Sequence, residues 1–482
     1  MSVSRIKPAI VIVATIALAA LILAHTPWLN GPWYWKWPWR EPMLRAWPLY
    51  PAAVLAAVPF FLAQWLYAKK GCRPRTVLPL LMLTTFALML VAAFCLPHHF
   101  RRIGLIVENT SITSYYFAAS RLVALRPEVT TADWMAIFPD FMGQFPVHAR
   151  FKPPGLILYF VAFIQIFGDN FTAQTASGVV IGLLGACAVP ATYLLVRTLA
   201  DDEPAGIAAA SLMALCPSLI LFFPQFDQVY PSIGCPLIVL WWRALRTGRP
   251  AYAIGFGAVL WLGTMMSYIV LIVGAFLLAM TLLHIAARGS GGFVTALTQS
   301  LIVIAAFVSL YALLWAATGF DPIATYQQAY ALQNVDLVAI RRPFPVHIAF
   351  DLYDFALGTG YLTVPLAAMY VVRVKGELFR WSRHDAGARL AFLSLFQIAV
   401  FAFGAFLPGE AARLWLILMP LLAAVAALEL ARWSFAGRMA VYGCLLLLTL
   451  VITQNIILIN IGENLKGKQV GVPDEKGHVS FE

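Results

Sequence analysis

Residues 78–96 read LPLLMLTTFALMLVAAFCL, an uncharged apolar run that follows Arg73 and Arg75 and ends just before His98 and His99. A helix needs roughly 20 such residues to cross the hydrocarbon core of a bilayer. Because lipid offers backbone amides no hydrogen-bond partners, only helices and closed barrels span it. The run is continuous rather than alternating, which indicates a helix and not a barrel strand.

Similar runs recur along the whole chain. Of its 482 residues, 61% are hydrophobic and 11% are charged, whereas soluble domains carry about 25% charged residues. A chain so poor in charge cannot cover a water-facing surface. We therefore predict an all-α polytopic membrane protein with about thirteen transmembrane helices. The predicted spans are 8–25, 48–67, 78–96, 173–198, 205–223, 229–246, 250–266, 268–287, 296–317, 357–374, 389–407, 413–431 and 437–460.

Short basic loops indicate the orientation of these spans. With the N-terminus in the cytoplasm, basic residues gather in the predicted cytoplasmic loops, as the positive-inside rule requires. Those residues include Lys69, Lys70, Arg243, Arg246, Arg249, Arg373, Lys375, Arg432 and Arg438. The formal net charge of +11 is thus interpreted as membrane topology and contact with anionic lipid, not as nucleic-acid binding.

Two segments between spans are long enough to fold outside the membrane. Segment 97–172 contains an apolar piece at 156–167 that is too short to cross, so we interpret it as an interfacial or half-inserted helix. Segment 318–356 is the second outer loop. Residues 1–460 are predicted to form a single domain, and residues 461–482, rich in Gly, Lys and Glu, a disordered outer tail.

The tryptophans and cysteines are interpreted as structural residues without a role in a functional site. The tryptophan-dense stretch 25–47 is typical of an aromatic belt at a membrane interface. The six cysteines are scattered and lack the spacing of a zinc site, so we interpret them as small residues buried in the membrane region.

Charged side chains concentrate in segment 97–172. The acids there are Glu108, Glu128, Asp133, Asp140 and Asp169, and the basic residues near them include His98, His99, Arg101, Arg102, His148, Arg150 and Lys152. A carboxylate opposite a basic cluster suits transfer from a lipid phosphate. The carboxylate takes a proton from the attacking hydroxyl or amine, and the cations stabilise the departing phosphate. The alternative interpretation is ordinary solvated loop charge.

The motifs in this segment follow a distinctive order. Glu108 precedes a helix that contains Tyr115, an Asp-Trp pair follows at Asp133, and a Lys-Pro-Pro triplet begins at Lys152. This order resembles the first outer loop of the GT-C superfamily of lipid-linked-sugar glycosyltransferases. It looks most like the branch of the aminoarabinose transferases and protein O-mannosyltransferases.

Downstream motifs extend the resemblance. Asp227 falls in the predicted second outer loop, where that branch often has an aspartate, and the run from Arg341 to Phe355 resembles a late outer loop of such enzymes. Glu410 and Arg413 stand in a Gly-Glu-x-x-Arg-x-Trp pattern that several members share. An interfacial ion pair at i, i+3 is the alternative interpretation of the last pattern.

The resemblance implies an inverting transferase that moves a hexosyl or pentosyl group from a polyprenyl-phosphate donor to a glycan, lipid or protein acceptor of the cell envelope. A carboxylate general base is implied, with Glu108 as the first choice and Asp133 and Asp140 as substitutes. The residues expected to bind the lipid phosphate are Lys152, Arg150, His148 and Arg413, and those expected to bind substrate are Tyr115, Asp227 and Glu410.

The same resemblance predicts a multi-pass protein of the plasma (inner) membrane, with its active site on the periplasmic or extracellular side. Its partners would be the sugar donor and membrane lipid. No cofactor is implied, and the use of a divalent metal stays open. A polytopic transporter or lipid flippase is the alternative. Transporters often carry internal repeats and mid-membrane ionisable residues, whereas this sequence has no evident repeat and gathers its ionisable residues in outer loops.

Overall fold

The computed structural model describes residues 3–31, 37–42, 45–124, 130–146, 148–339, 344–377, 385–404, 406–407 and 409–461. Across these ranges the regular structure is helical, apart from an isolated antiparallel bridge between Trp39 and Ile456. The predicted tail 461–482, Glu128 and the pair Arg341-Arg342 lie wholly or almost wholly outside the described residues.

Apolar runs fold into helices because a helix satisfies its backbone hydrogen bonds within one segment. The helices are α1 Val3–Leu23, α2 Leu49–Ala56, α3 Val58–Lys70, α4 Pro74–Cys95, α5 Arg102–Glu108, α6 Tyr115–Ala124, α7 Thr131–Ala136, α8 Phe138–Phe141, α9 Gly155–Phe167, α10 Phe171–Ala186, α11 Ala188–Leu199, α12 Glu203–Ala214, α13 Pro217–Leu221, α14 Tyr230–Thr247, α15 Pro250–Met266, α16 Gly274–Arg288, α17 Ser290–Thr318, α18 Pro322–Ala339, α19 Val346–Thr359, α20 Thr363–Val374, α21 Ala386–Phe403, α22 Ala411–Leu414, α23 Met419–Leu430 and α24 Phe435–Asn455.

Seven helical segments of the described chain are long and apolar enough to cross a membrane, or eight if the bent pair α19–α20 counts as one span. Four shorter apolar helices accompany them. Every predicted span overlaps one or more of the helices α1 to α24. The all-α polytopic membrane class is therefore confirmed, while the count of about thirteen spans stays a prediction.

The predicted span 357–374 differs most from the structure. Here α19 and α20 meet at 106° instead of continuing as one rod. Gly360, between them, has a φ of 84°, and the Leu445 side chain occupies the place where a Cβ would stand. Only glycine takes up that conformation and that closeness without strain. The bend leaves α19 packed against α22.

Segment 97–172 folds into the short helices α5 to α9. The apolar piece predicted at 156–167 is α9, and it packs against α6 and α10. Tyr159 Oη donates to the Ser177 carbonyl at 2.7 Å, and Tyr116 Oη donates to Asp169 Oδ1 at 2.8 Å. These bonds fix α9 and α6 to the start of α10, so the segment is built onto the helical bundle.

Candidate active site

Arg413 lies at the centre of a charged cluster. Its Nε is 3.6 Å from Asp227 Oδ2, and its Nη2 pairs with Glu410 Oε2. The Arg413 side chain is 13% exposed, against 21% for Asp227 and 17% for Glu410. Arg413 belongs to α22, Glu410 immediately precedes that helix, and Asp227 stands in a single 3-10 turn just before α14. One cation is thus held between two half-buried carboxylates that are distant in sequence.

Lys152 brings the outer segment into the same cluster. Its Nζ donates to Ser267 Oγ at 3.0 Å, and Ser267 is fully buried between α15 and a short 3-10 helix. Burial lowers the pKa of the Lys152 ammonium, while the negative charge of Asp227 raises it and the positive charge of Arg413 lowers it. The charges of Asp227 and Arg413, which contact each other, thus both act on the Lys152 ammonium.

His148 is neutral at pH 7. Burial and then the positive charge of Arg413 lower its pKa to about 4, with smaller contributions from Lys152 and Arg150. Its Nε2 donates to the Ser111 carbonyl at 2.9 Å. The proton is assigned to Nε2 because a carbonyl oxygen can only accept. The imidazole thus ties two parts of the outer segment together beside the cations without adding to their charge.

Tyr115 closes the cluster at the start of α6. Burial and then the charge of Asp227 raise the pKa of its phenol, and Arg413 acts in the opposite direction. The residue before it, Ser114, is fully buried with a φ of 55°, a left-handed conformation that is uncommon outside glycine. This turn directs the chain into α6 with Tyr115 next to the charged groups.

Two buried aspartates of α19 hold the backbone on which Glu410 and Arg413 stand. Asp351 Oδ1 accepts from the Gly409 amide at 2.7 Å, and Asp354 Oδ2 accepts from the Ala412 amide at 2.8 Å. Both aspartates are 2% exposed. Glu410 itself has a φ of 44° and a ψ of 34°, a conformation that costs of order 1–3 kcal/mol and persists where the surroundings enforce it.

Asp354 also accepts from Trp37 Nε1 at 2.8 Å through its other oxygen. Trp37 is 7% exposed, so this tryptophan of the stretch 25–47 is a buried hydrogen-bond donor, whereas the exposed Trp28 and Trp47 suit the predicted interfacial belt. Asp351 and Asp354 together form a clamp on the segment that carries Arg413. Through the bond from Trp37, this clamp also joins the N-terminal part of the chain to that segment.

We expect Asp354→Ala to destabilise the protein. It leaves the Trp37 indole and the Ala412 amide without their acceptor, and each unsatisfied buried group costs about 1–3 kcal/mol. Thermal unfolding in detergent should occur at a lower temperature. Asp354→Asn is the matched control, because it keeps the volume and one acceptor oxygen and should cost less. Equal unfolding temperatures for wild type and Asp354→Ala would remove the clamp from the account.

The three carboxylates predicted as the general base are exposed. Glu108 is exposed at the end of α5, where its charge makes the smallest of the contributions to the raised pKa of Tyr116. Asp133 is exposed and completes a capping box with Thr130 at the start of α7. Asp140 is exposed in α8. Within the described residues, no hydrogen bond or ion pair joins these three carboxylates to the cluster.

Sequence reasoning missed Ser267, Trp37 and the clamping role of Asp351 and Asp354. A signal for the aspartates was present, because two carboxylates at i, i+3 between apolar residues are costly unless they have partners. Ser267 carries no such signal. Among the described residues, no group of three His, Cys, Asp or Glu side chains is close enough to hold a metal ion.

The cluster draws on segments that are all predicted to face outward, and this placement is testable. In a variant without the six native cysteines, Thr130→Cys and Glu410→Cys should react with an impermeant maleimide in intact cells. Arg249→Cys, in a predicted cytoplasmic loop, should react only after the membrane is opened, because short basic loops stay inside. Protection of Thr130→Cys in intact cells would contradict the topology.

Comparisons with known proteins give structural similarity at low identity. The chain is similar to the crystal structure of ArnT from Cupriavidus metallidurans in the apo state, with 14% identity and a TM-score of 0.41, over 70% of this chain and 59% of that one. For ArnT from the same organism bound to undecaprenyl phosphate, the values are 13%, 0.45, 75% and 61%. The match thus spans about three-fifths of the ArnT chain. No protein-family model and no curated protein matches the sequence.

Proposed function

We propose that the protein is a membrane glycosyltransferase of the GT-C type, which transfers a sugar from a polyprenyl-phosphate donor to an acceptor at the outer face of the membrane. The observation that carries the proposal is the convergence of Lys152 and Arg413 with Asp227 in one half-buried cluster. Cations and a carboxylate are the groups that this reaction requires. The order of motifs in segment 97–172 supports the same class.

The two cations bind the phosphate of the donor lipid. The Lys152 ammonium and the Arg413 guanidinium donate charge-assisted hydrogen bonds to phosphate oxygens, which are stronger than bonds between neutral groups. Pairing with Asp227 and Glu410 keeps Arg413 oriented before the donor arrives. His148 and Arg150 complete the surroundings of the phosphate, His148 as a neutral group that positions the loop of Ser111.

The transfer itself is a displacement with inversion. The acceptor hydroxyl or amine attacks the anomeric carbon from the side opposite the phosphate, and the new bond forms as the bond between that carbon and the phosphate oxygen breaks. The electron pair of the broken bond leaves with the polyprenyl phosphate, whose added negative charge Lys152 and Arg413 stabilise. The acceptor proton passes to a carboxylate base.

We assign the role of base to Asp227. The base must lie within hydrogen-bond reach of an acceptor that is itself close to the phosphate-bound sugar. Asp227 is in the cluster, whereas Glu108 is exposed at the end of α5. Glu410, which pairs with Arg413, then has the positioning role.

Turnover of a labelled donor tests the proposal. The purified protein, reconstituted in nanodiscs, is supplied with polyprenyl phosphates that carry radiolabelled hexoses, pentoses or aminopentoses, together with an envelope extract as the acceptor source. We expect at least one donor to be converted to free polyprenyl phosphate and labelled product. Arg249→Gln, a charge change outside the cluster, should leave the rate unchanged. If no donor is consumed and none binds more tightly than the sugar-free polyprenol, the proposal fails.

A further inference from the structure

A cavity that combines charged and apolar side chains lies at the other end of the helical bundle. It has a volume of about 460 Å³ and is lined by residues of α11, α14, α16 and α21. Asp227 precedes the first residue of α14, whereas Arg246, which lines the cavity, stands near its last. At 1.5 Å per residue, Arg246 lies about 24 Å along the helix from Tyr230, the first residue of α14. The cavity is therefore separate from the candidate active site and opens on the predicted cytoplasmic side.

Positive charge predominates in this cavity. Arg246, Arg288 and Arg389 line it, one from each of three helices. The acidic residue of the lining is Asp201, and its carboxylate pairs with Arg197, four residues earlier in the chain. The described lining thus holds three arginines and one carboxylate that already pairs with Arg197. An excess of positive charge of this kind attracts an anion.

Two residues of the cavity lining also carry buried polar atoms without partners. His284 is 7% exposed, and its Nε2 has no hydrogen-bond partner in the described structure. The same holds for Nε1 of Trp242, on the facing helix α14. Nearly all buried polar groups in proteins are hydrogen-bonded, and each exception calls for an explanation. An indole N–H without a partner, on a residue that lines a basic cavity, is suited to a ligand with acceptor oxygens.

Apart from Thr198, the remaining lining is apolar. Leu283, Leu390 and Leu393 contribute to it, and the arginines stand at helix ends, where a membrane surface meets water. A volume of this size lies in the range of small-ligand sites. A free phosphate ion would fill only a small part of the space and would leave the leucines without a partner. A phosphate that carries an apolar chain matches both kinds of lining.

We propose that this cavity binds the phosphate group of an anionic membrane lipid on the side of the membrane opposite the candidate active site. Arg288 and Arg389 bind the phosphate, Trp242 donates its N–H, and the leucines contact the first carbons of the acyl chains. A site of this kind would bind lipid without any part in the transfer reaction, so it does not depend on the proposed function. The competing interpretation is that the arginines merely anchor helix ends at the membrane surface.

Titration with short-chain lipids tests the proposal. The purified full chain in a neutral detergent is titrated calorimetrically with dihexanoyl phosphatidylglycerol, dihexanoyl phosphatidylcholine and inorganic phosphate, all below micelle-forming concentrations. We expect the anionic lipid to bind at least tenfold more tightly than the zwitterionic one. The double variant Arg288→Gln/Arg389→Gln should lose that preference, since each charge-assisted hydrogen bond is worth about tenfold in affinity. Arg249→Gln removes a nearby charge outside the cavity and should change nothing.

Three results would overturn the proposal. Equal affinity for the two lipids would leave the anchoring interpretation, and an equal loss in Arg249→Gln would indicate diffuse surface charge. Affinity for inorganic phosphate as high as for the anionic lipid would assign the cavity to a free anion.

Trp242→Phe keeps the ring and removes the N–H, so it should weaken lipid binding several-fold. This single change keeps the test decisive if the double variant fails to fold.

Discussion

Asp227→Asn is expected to reduce the rate of sugar transfer by roughly 10²–10⁴-fold, which is the usual cost of losing a general base. The substitution keeps the shape of the side chain and removes its basicity. Arg413 retains its partner Glu410, so the cluster should keep its geometry. Donor affinity should be unchanged or higher, because one negative charge leaves the neighbourhood of the phosphate. Single-turnover rates and equilibrium binding of the donor separate the two effects.

Matched carboxylate variants decide between the candidates for the base. Glu108→Gln, Asp133→Asn and Asp140→Asn should each transfer sugar at close to the wild-type rate, because these exposed side chains lie outside the described contacts of the cluster. If Glu108→Gln is inactive while Asp227→Asn is active, the base is Glu108 and the GT-C class still holds. If all four variants remain fully active, the transferase proposal itself is contradicted.

Lys152→Ala is expected to weaken donor binding roughly tenfold or more, since loss of a hydrogen bond to a charged group costs about 1.5–3 kcal/mol. The two prolines that follow Lys152 restrict the local backbone, so the ammonium is placed before the donor arrives. The rate should fall as well, because the cation that stabilises the leaving phosphate is gone. Binding of fluorescent polyprenyl phosphate to reconstituted protein measures the first effect.

Ser267→Ala is the control for that variant. It removes the hydroxyl that accepts from Lys152 Nζ but leaves the ammonium in place, so donor affinity should fall much less. Unchanged affinity in Lys152→Ala would make this lysine an interfacial anchor. A similar loss in both variants would mean that the bond to Ser267, and not the charge, determines binding.

Most of the helical architecture could be predicted from the sequence, because a long uncharged run in a charge-poor chain has few structures open to it. The break between α19 and α20 could not. Apolar composition indicates which residues avoid water, but it does not indicate where a helix changes direction. The bend at Gly360 depends on contact with Leu445, far along the chain. Asp351 and Asp354, in the helix that ends at this bend, accept hydrogen bonds from the backbone of Gly409 and Ala412, and the linear sequence does not indicate these partners.

The individual residues of the candidate site could be predicted from the sequence, but their arrangement in space could not. Lys152, Asp227, Glu410 and Arg413 each stand in a recognisable motif, yet nothing in the linear order says that they meet. The choice of Glu108 followed order along the chain, whereas hydrogen-bond reach depends on distance in space. Sequence position therefore favoured a carboxylate of segment 97–172, whereas the contact of Asp227 with Arg413 leads us to propose Asp227, and the choice between them stays a prediction.

A cryo-EM structure of the wild-type protein in nanodiscs with bound polyprenyl phosphate tests the central claim most directly. The account predicts density for the phosphate within hydrogen-bond distance of both Lys152 Nζ and the Arg413 guanidinium, with Asp227 on the side from which an acceptor would approach. A phosphate bound away from these two cations, with the cluster unchanged and empty, would contradict it.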